Sequence, residues 1–404
     1  MLFRSEILPV YILDPSHFET NTSGLRKVGK YRAQYLLEAL KDLDASLRAR
    51  GSGLMILYGK AEVLFKDLLL KHEAERIYTK HEIAWDEIQT QSAIIKGLPH
   101  CELLSVESSL LFHKDDLRFV NNKLPYVFTE YRKQVEKHSK VRGLFACPDK
   151  INSPKIEEVK WPKLEDFGFS TLAKDPRAAY DFKGGETEAL KRLKDYLFGT
   201  HSISKYKETR NGMIGENYSS KFSAALALGC LSTKNIYHEI KRYEEKFGSN
   251  DSTYWLVFEL MWRDYFRLVM EKHPKDFFMR NGIQNNVKWN LKHSDLDLEN
   301  WKNGKTPNDF VNANMLELKL TGFMSNRGRQ NVAGYLHNDL KLDWRYGAAY
   351  FEQQLIDYDV CSNWGNWAYL AGVGNDPRGQ RLFNTEKQAL DYDKTGEYRK
   401  LWNK

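Results

Sequence analysis

Apolar residues in the first hundred positions follow two alternating rhythms. Ile7 to Leu13, Leu54 to Tyr58, Arg76 to Thr79 and Cys101 to Val106 are short runs of aliphatic, β-branched and aromatic residues, the length and make-up of buried strands. Between them the spacing turns helical. Tyr31 to Arg50 places Tyr35, Leu36, Ala39, Leu40, Leu43 and Leu47 on one stripe and stops at Gly51, and Glu62 to Lys71 and Asp86 to Ile95 follow. Strand and helix alternating in this way predict a parallel sheet with crossover helices. No glycine-rich dinucleotide fingerprint follows any of these strands, so this half is not an ordinary Rossmann cofactor site.

The rhythm then fades. Residues 141–187 carry scattered Pro148, Pro154, Pro162 and Pro176 with little periodicity and read as a connector draped over the surface. Beyond it the pattern is helical almost throughout: Glu188 to Phe198, Ser223 to Ala227, Thr233 to Phe247, Thr253 to Lys272, Phe310 to Leu320, Asn326 to Asn338 and Trp344 to Ile356. The predicted class is α/β plus all-α, divided into residues 1–140, a connector at 141–187 and a helical domain at 188–404.

Composition narrows the partners. The 61 Lys and Arg against 54 Asp and Glu leave a net charge of +7, which permits an anionic partner such as nucleic acid without demanding one. Cys101, Cys147, Cys230 and Cys361 are far apart with no CxxC, so neither a disulfide framework nor a zinc site is indicated and a reducing compartment fits. No apolar run approaches a membrane span, and ILPVYIL, halted by Asp14 and Pro15, reads as a strand and not a signal peptide. The expected product is an intracellular monomer, cytoplasmic if bacterial, with no metal.

The most informative window is Thr321 to Pro377. Arg327, Arg329, Asp357, Asp359, Asn326 and Asn363 are interleaved there with Trp344, Trp364 and Trp367. An ordinary helical core would use Leu, Ile and Ala, whereas Arg and Asp are rarely buried unless paired or bound to something polar. The mixture suits a pocket for a large, flat, partly charged ligand, against the plainer reading of a bundle with surface ion pairs. Its strings NRGRQNVA, DWR, LIDYDVCSNWGNW and AGVGNDPR resemble the flavin-binding domain of the photolyase and cryptochrome family, above all the cryptochrome-DASH branch, and the likeness runs from about Leu8 to the C-terminus.

That resemblance implies FAD as cofactor. Tyr206, Ser219, Ser220, Lys221, Phe222, Ser223, Arg263, Phe323, Asn326, Arg329, Asp357, Asp359 and Asn363 match the family's cofactor contacts, with the Tyr218-to-Ser223 segment on the pyrophosphate. By themselves, serines at a helix start would read as plain caps. Asn363 matches the residue facing the flavin nitrogen that gains a proton on reduction, and asparagine there implies a stable reduced flavin. Glu259 and Trp262, one turn apart in WLVFELMWRDYF, would face a DNA lesion, with Tyr369 where ordinary dimer photolyases carry a second tryptophan. The implied catalytic set is Glu259, Asn326 and Asn363. Trp367, Trp344 and Trp301 match the tryptophan chain of photoreduction, though three dispersed tryptophans otherwise read as core. Neither Asn326 nor Gln330 is histidine, so a 6-4 adduct is not the expected substrate.

The N-terminal half resembles the family's antenna domain, which can carry 5,10-methenyltetrahydrofolate, and Glu87 is the one weak candidate contact. Family members begin with an earlier strand and helix, and this sequence begins after them: either the start is an alternative or misassigned one or the sheet is expected to miss its first strand, which weighs against the pigment. The resulting reading is a flavoprotein that uses blue light to reverse cyclobutane pyrimidine dimers, preferentially in single-stranded DNA, by electron transfer from excited reduced FAD. Its rival is a cryptochrome-type photoreceptor that binds DNA with little repair, and the lack of a long extension after Trp402 weighs against it.

Overall fold

The structure, a computed structural model, describes residues 6–98, 100–119, 123–284 and 287–404. It opens with the alternation the apolar spacing predicts: β1 (Val10–Leu13), α1 (Lys30–Arg48), β2 (Met55–Tyr58), α2 (Ala61–His72), β3 (Arg76–Lys80), α3 (Trp85–Gly97) and β4 (Glu102–Val106). The single expected sheet is instead two. β1 pairs in parallel with β2, in the register Val10 to Met55, and β3 pairs in parallel with β4, Arg76 opposite Glu102. Each of the four strands keeps one edge without a strand partner among the described residues. α2 has no buried residue, and Tyr58, Val63, Leu70 and Tyr78 are exposed.

The helix α1 is buried on two sides because its apolar stripe is wide. Leu36, Leu37 and Leu40 pack with Leu13 and Leu54 of the β1–β2 layer, and the connector's 3-10 turn Leu164–Phe167 closes that core by stacking Phe167 on Phe18 at 4.1 Å. Tyr35, on the other side, joins Tyr218, Phe323 and Ile356 of the helical part. At the start of α1 the backbone approaches Gln353 so closely that a Cβ on Gly29 would lie 2.1 Å from its carbonyl oxygen. Arg32 then donates to the Glu352 carbonyl at 3.0 Å and lies over the Tyr358 ring at 4.5 Å.

The remainder is helical: α4 (Phe128–His138), α5 (Glu186–Lys194), α6 (Tyr206–Thr209), α7 (Ser223–Leu228), α8 (Thr233–Phe247), α9 (Asp251–Lys272), α10 (Asp295–Lys302), α11 (Asp309–Thr321), α12 (Asn326–Gly334), α13 (Trp344–Gln354), α14 (Val360–Leu370), α15 (Thr385–Tyr392) and α16 (Glu397–Trp402). The predicted helices ending at Phe198 and Asn338 are α5 and α12, each continued by one π turn. α4 buries Phe128, Tyr131 and Val135, and they join the core of the helical part together with Leu110, Leu111 and Phe112.

The middle of that core is α9, started by a capping box in which Asn250 accepts from the N–H of Thr253 and Thr253 accepts in return. Its second half is buried nearly all round between Met261 and Met270, and it encloses the charged Asp264 and Arg267 along with the apolar side chains. α14 lies against α9 and α13 at glycines. A Cβ on Gly365 would sit 2.5 Å from the Phe266 ring, and one on Gly347 of α13 would sit 2.2 Å from the Trp367 ring. Neither position has room for alanine.

One buried carboxylate ties the first half of the chain to this core. Asp264 of α9 is fully buried and accepts from the Leu111 N–H at 3.0 and 2.9 Å and from the Phe112 N–H at 3.1 Å. Those donors have no water to turn to, so removing the acceptor leaves them unpaired. Asp264→Ala is expected to lower the unfolding free energy by about 2–4 kcal/mol, measured by urea denaturation at neutral pH. Unchanged stability would show that the segment is held by its apolar side chains alone.

Candidate functional site

α7, α9, α12, α13 and α14 and the segments that enter them converge on a cavity of about 310 Å³. Its lining includes Tyr206, Ser219, Ser220, Lys221, Phe222, Ser223, Glu259, Phe323, Asn326, Arg329, Asp357, Asp359, Asn363 and Trp367. Residues from 206 to 367 of the sequence are thereby collected around one space. Gln330, noted in the sequence only for not being histidine, lines it too, as do Arg210, Tyr358 and Asn366, which the sequence did not single out. Arg210 stands in no motif, so only the fold reveals its place.

The wall at Ser219 to Ser223 is shaped from behind. Arg192 of α5 is buried and donates to the carbonyl oxygens of Ser220 at 3.1 Å, Glu216 at 3.2 Å and Ser219 at 3.4 Å, and to Asn217 Oδ1 at 2.9 Å. With those carbonyls held by Arg192, the serine side chains line the cavity. None of them caps α7: Phe222 occupies the N-cap and no side chain bonds the helix start. Lys221 takes a left-handed backbone conformation (φ 62°) that places its side chain inward, against the Tyr218 ring at 3.1 Å and the Phe323 ring at 4.9 Å. Its ammonium is buried without a hydrogen-bond partner, and burial holds its pKa well below the ordinary lysine value.

The opposite wall carries acids and amides. Arg329 of α12 donates to both oxygens of Asp357, at 2.9 and 2.8 Å, and from Nε to the Met324 carbonyl at 3.0 Å. This fixes the guanidinium while leaving its outer edge free. Asp359 caps α14 by accepting from the Ser362 N–H at 2.8 Å. Burial pushes its carboxyl up, but Arg263 at 3.8 Å, Arg267 at 3.9 Å and the Ser362 bond outweigh it, so the carboxyl stays below the usual range. Asn363 donates its amide N–H to the Ala348 carbonyl at 3.0 Å, which leaves its oxygen as the acceptor for the cavity.

Glu259 does not pair with its helix neighbour Arg263. Arg210 reaches it at 2.7 Å, while Arg263 turns away to the carbonyls of Ser109 at 2.6 Å and Leu226 at 3.3 Å. Arg263, expected at the cofactor, is absent from the cavity lining and stands behind Asp359. Burial raises the Glu259 carboxyl against the pull of Arg210, which favours its protonated form.

The aromatic residues fall in two groups. Trp262 and Tyr369 meet edge to face at 5.8 Å and lie outside the cavity lining, beside Glu259 and Leu370 respectively in the sequence. Phe128 covers one face of Trp262 at 3.7 Å, and Tyr369 Oη accepts from Arg378 at 3.4 Å and Arg381 at 3.3 Å. Both arginines are held by the buried Asp376. The three tryptophans matched to the family's chain, Trp367, Trp344 and Trp301, do not all touch one another. Trp301 meets Trp367 at 6.3 Å, whereas Trp344 meets Trp364 at 5.8 Å. Trp301 and Trp344 are both fully buried, donating their indole N–H to the Val332 and Arg280 carbonyls. Trp289 is a partly buried tryptophan at 5.4 Å from His337 that the sequence reading passed over. Glu87 lies on α3 and is not among the residues that line this cavity, and burial raises its carboxyl.

Residues 255–403 match the model described as the FAD binding domain of DNA photolyase, and residues 4–154 match that of DNA photolyase. The cryptochrome DASH of Danio rerio is 45% identical over 98% of this chain and 77% of its own length. The crystal structure of the Synechocystis sp. PCC6803 cryptochrome superposes with a TM-score of 0.93 at 44% identity, covering 98% of this chain and 83% of that one. A class III photolyase from Agrobacterium tumefaciens superposes with a TM-score of 0.81 at 25% identity, covering 98% and 81%.

The cavity generates one direct expectation. Arg329→Ala removes the cation fixed by Asp357 and leaves that buried carboxylate without its partner, a loss of about 3–5 kcal/mol. FAD should then be retained poorly through purification, read from the flavin-to-protein absorbance ratio. A full flavin complement in a folded variant would assign Arg329 to structure alone.

Proposed function

The chain belongs to the photolyase/cryptochrome family, in its cryptochrome-DASH branch, and from that premise we propose that it repairs cyclobutane pyrimidine dimers with blue light, preferentially in single-stranded DNA. Membership of the family makes the chain a blue-light flavoprotein of this class with an FAD-binding domain. The observation that supports the finer reading is the junction of cavity and surface. Glu259 lines the cavity, while Trp262, one turn along α9, stands with Tyr369 just outside it.

The residues present fit FAD. A buried ammonium without a partner, three serines released from capping and a fixed guanidinium together ask for an anionic ligand. Ser219, Ser220, Lys221 and Ser223 would hold the phosphates, Arg329 and Asp357 the polar edge of the ring, and Asn363 the nitrogen that carries a proton on reduction. Reduced FAD, when bound, supplies the light-driven electron that opens the dimer and receives it back. Glu259, raised by burial, offers a carboxyl proton to the base pair of the dimer, and Arg210 holds that carboxyl in position. Trp262 and Tyr369 offer stacking surface to the flipped bases, and Phe128 keeps Trp262 rigid. Arg378 and Arg381, braced on Asp376, present positive charge beside that surface.

The strand preference follows from Tyr369. Extracting a dimer from a duplex costs a few kcal/mol, least where the strand is already single, and stacking recovers about 1–3 kcal/mol per base. A tyrosine committed edge-on to Trp262 offers less stacking area than a tryptophan would. Light-dependent repair of one dimer-containing oligonucleotide should therefore be at least tenfold faster single-stranded than annealed, at equal salt. Comparable rates would end the preference, and no repair of either form would favour the photoreceptor reading.

A second measurement separates the electron's entry from its use. Trp367 lines the cavity and touches Trp301 and Phe351, so it is the tryptophan positioned to refill the flavin. Trp367→Phe should keep FAD, slow photoreduction of oxidised flavin at least tenfold and spare repair by chemically reduced enzyme. Equal loss of both would make the residue a packing element.

A further inference from the structure

The charges around Lys221 do not balance without a ligand. Four elements besides its own segment present ionisable groups to it: Glu317 of α11, Arg329 of α12, Arg192 of α5, and Asp357 ahead of α14. Each of those four already has a partner. Asp357 is held by Arg329, Arg192 is spent on the carbonyls of Glu216, Ser219 and Ser220, and Glu317 accepts from Tyr398 Oη of α16 at 2.6 Å. Tyr218, on the lysine's own segment, offers its ring face and not its hydroxyl, which is itself buried and unpartnered. The lysine alone has none, although it is one-twentieth exposed and lines the cavity.

A buried ammonium with no acceptor is the less stable form of the side chain, because water that would solvate the charge is excluded and nothing replaces it. The neutral amine can rest against the rings of Tyr218 and Phe323 without that penalty. An arriving phosphate reverses the preference, since it supplies both the charge and the acceptors that the ammonium lacks. Among the carboxyls, Glu317 acts most strongly on the lysine, and burial pushes it up to about 7.

We propose that Lys221 is a proton-uptake residue of the cofactor site: it is neutral in the empty cavity and takes a proton from solvent when the phosphates of FAD bind. The inference rests on the cavity's being the FAD site. It makes cofactor retention dependent on pH by a route separate from the chemistry of the flavin ring. The sign follows from the two states. Between the lysine's titration point in the empty protein and its higher one in the complex, binding consumes one proton, so affinity falls as pH rises, by up to tenfold per pH unit.

The test is calorimetric titration of FAD into the full-length chain freed of flavin, near pH 8, in two buffers of different protonation enthalpy. Wild type should show a buffer-dependent binding enthalpy corresponding to uptake of up to one proton. Lys221→Met should still bind FAD, more weakly, with that uptake lost and its affinity nearly flat with pH. Riboflavin, which has the ring but no phosphate, should produce no uptake with either protein. If Lys221→Met does not fold, Glu317→Gln serves in its place: removing the carboxyl lowers the lysine's titration point further, so uptake should begin at lower pH. FAD binding by wild type without proton uptake, or uptake unchanged in Lys221→Met or Glu317→Gln, would overturn the proposal while leaving the cofactor reading intact. Failure of wild type to bind FAD at all would remove both.

Discussion

Side chains cannot pass between α14 and its two neighbours. Gly365 lies against Phe266 of α9 and Gly347 of α13 lies against Trp367 of α14, each too close to admit a Cβ. That contact sets everything on the far side of α14: the cap at Asp359, the inward Asn363 and the Trp367 ring occupy one wall because the helix is pressed flat against its support. A cavity wall built this way is rigid, since close-packed interiors yield little. It can therefore hold a flat ligand at a fixed distance from Glu259 on α9 and Asn326 on α12.

The electrostatics of the cavity follow from burial more than from charge count. Each acid is paired by an arginine from another element: Asp357 by Arg329, Glu259 by Arg210, and Asp359 by Arg263 with Arg267. Removing either member of such a pair strands the other, so these residues are energetically coupled even where only one faces the ligand. Lys221 is the cavity amine outside this pattern, and its missing partner is the most direct sign that the cavity is made for an anion.

The aromatic residues extend the same logic to electron and substrate. Trp367 connects the cavity to Trp301 and Phe351 inward, while Trp262 and Tyr369 face the outside. Which tryptophan rings meet, Trp301 with Trp367 and Trp344 with Trp364, is set by the helices that carry them and is not written in the sequence motifs.

Local pattern determined the alternating strands and helices of the first hundred residues, since strand and helix periods are properties of neighbouring residues. It also marked the strings around Asn326, Asp357 and Asn363, and with them the family. α4 was passed over although Phe128, Tyr131 and Val135 are at helical spacing, and α14 was hidden because its run of Asn, Gly and Trp carries no aliphatic stripe. Partners across the fold were beyond reach. That Glu259 takes Arg210 in place of Arg263, that Arg192 holds the serine segment from behind, and that Lys221 is left unpaired all depend on which helices meet and how deeply. The division of the sheet is of the same kind, because a strand's sequence states its faces but not its edge partners. Pairing and burial are relations between distant segments, and only the folded chain decides them.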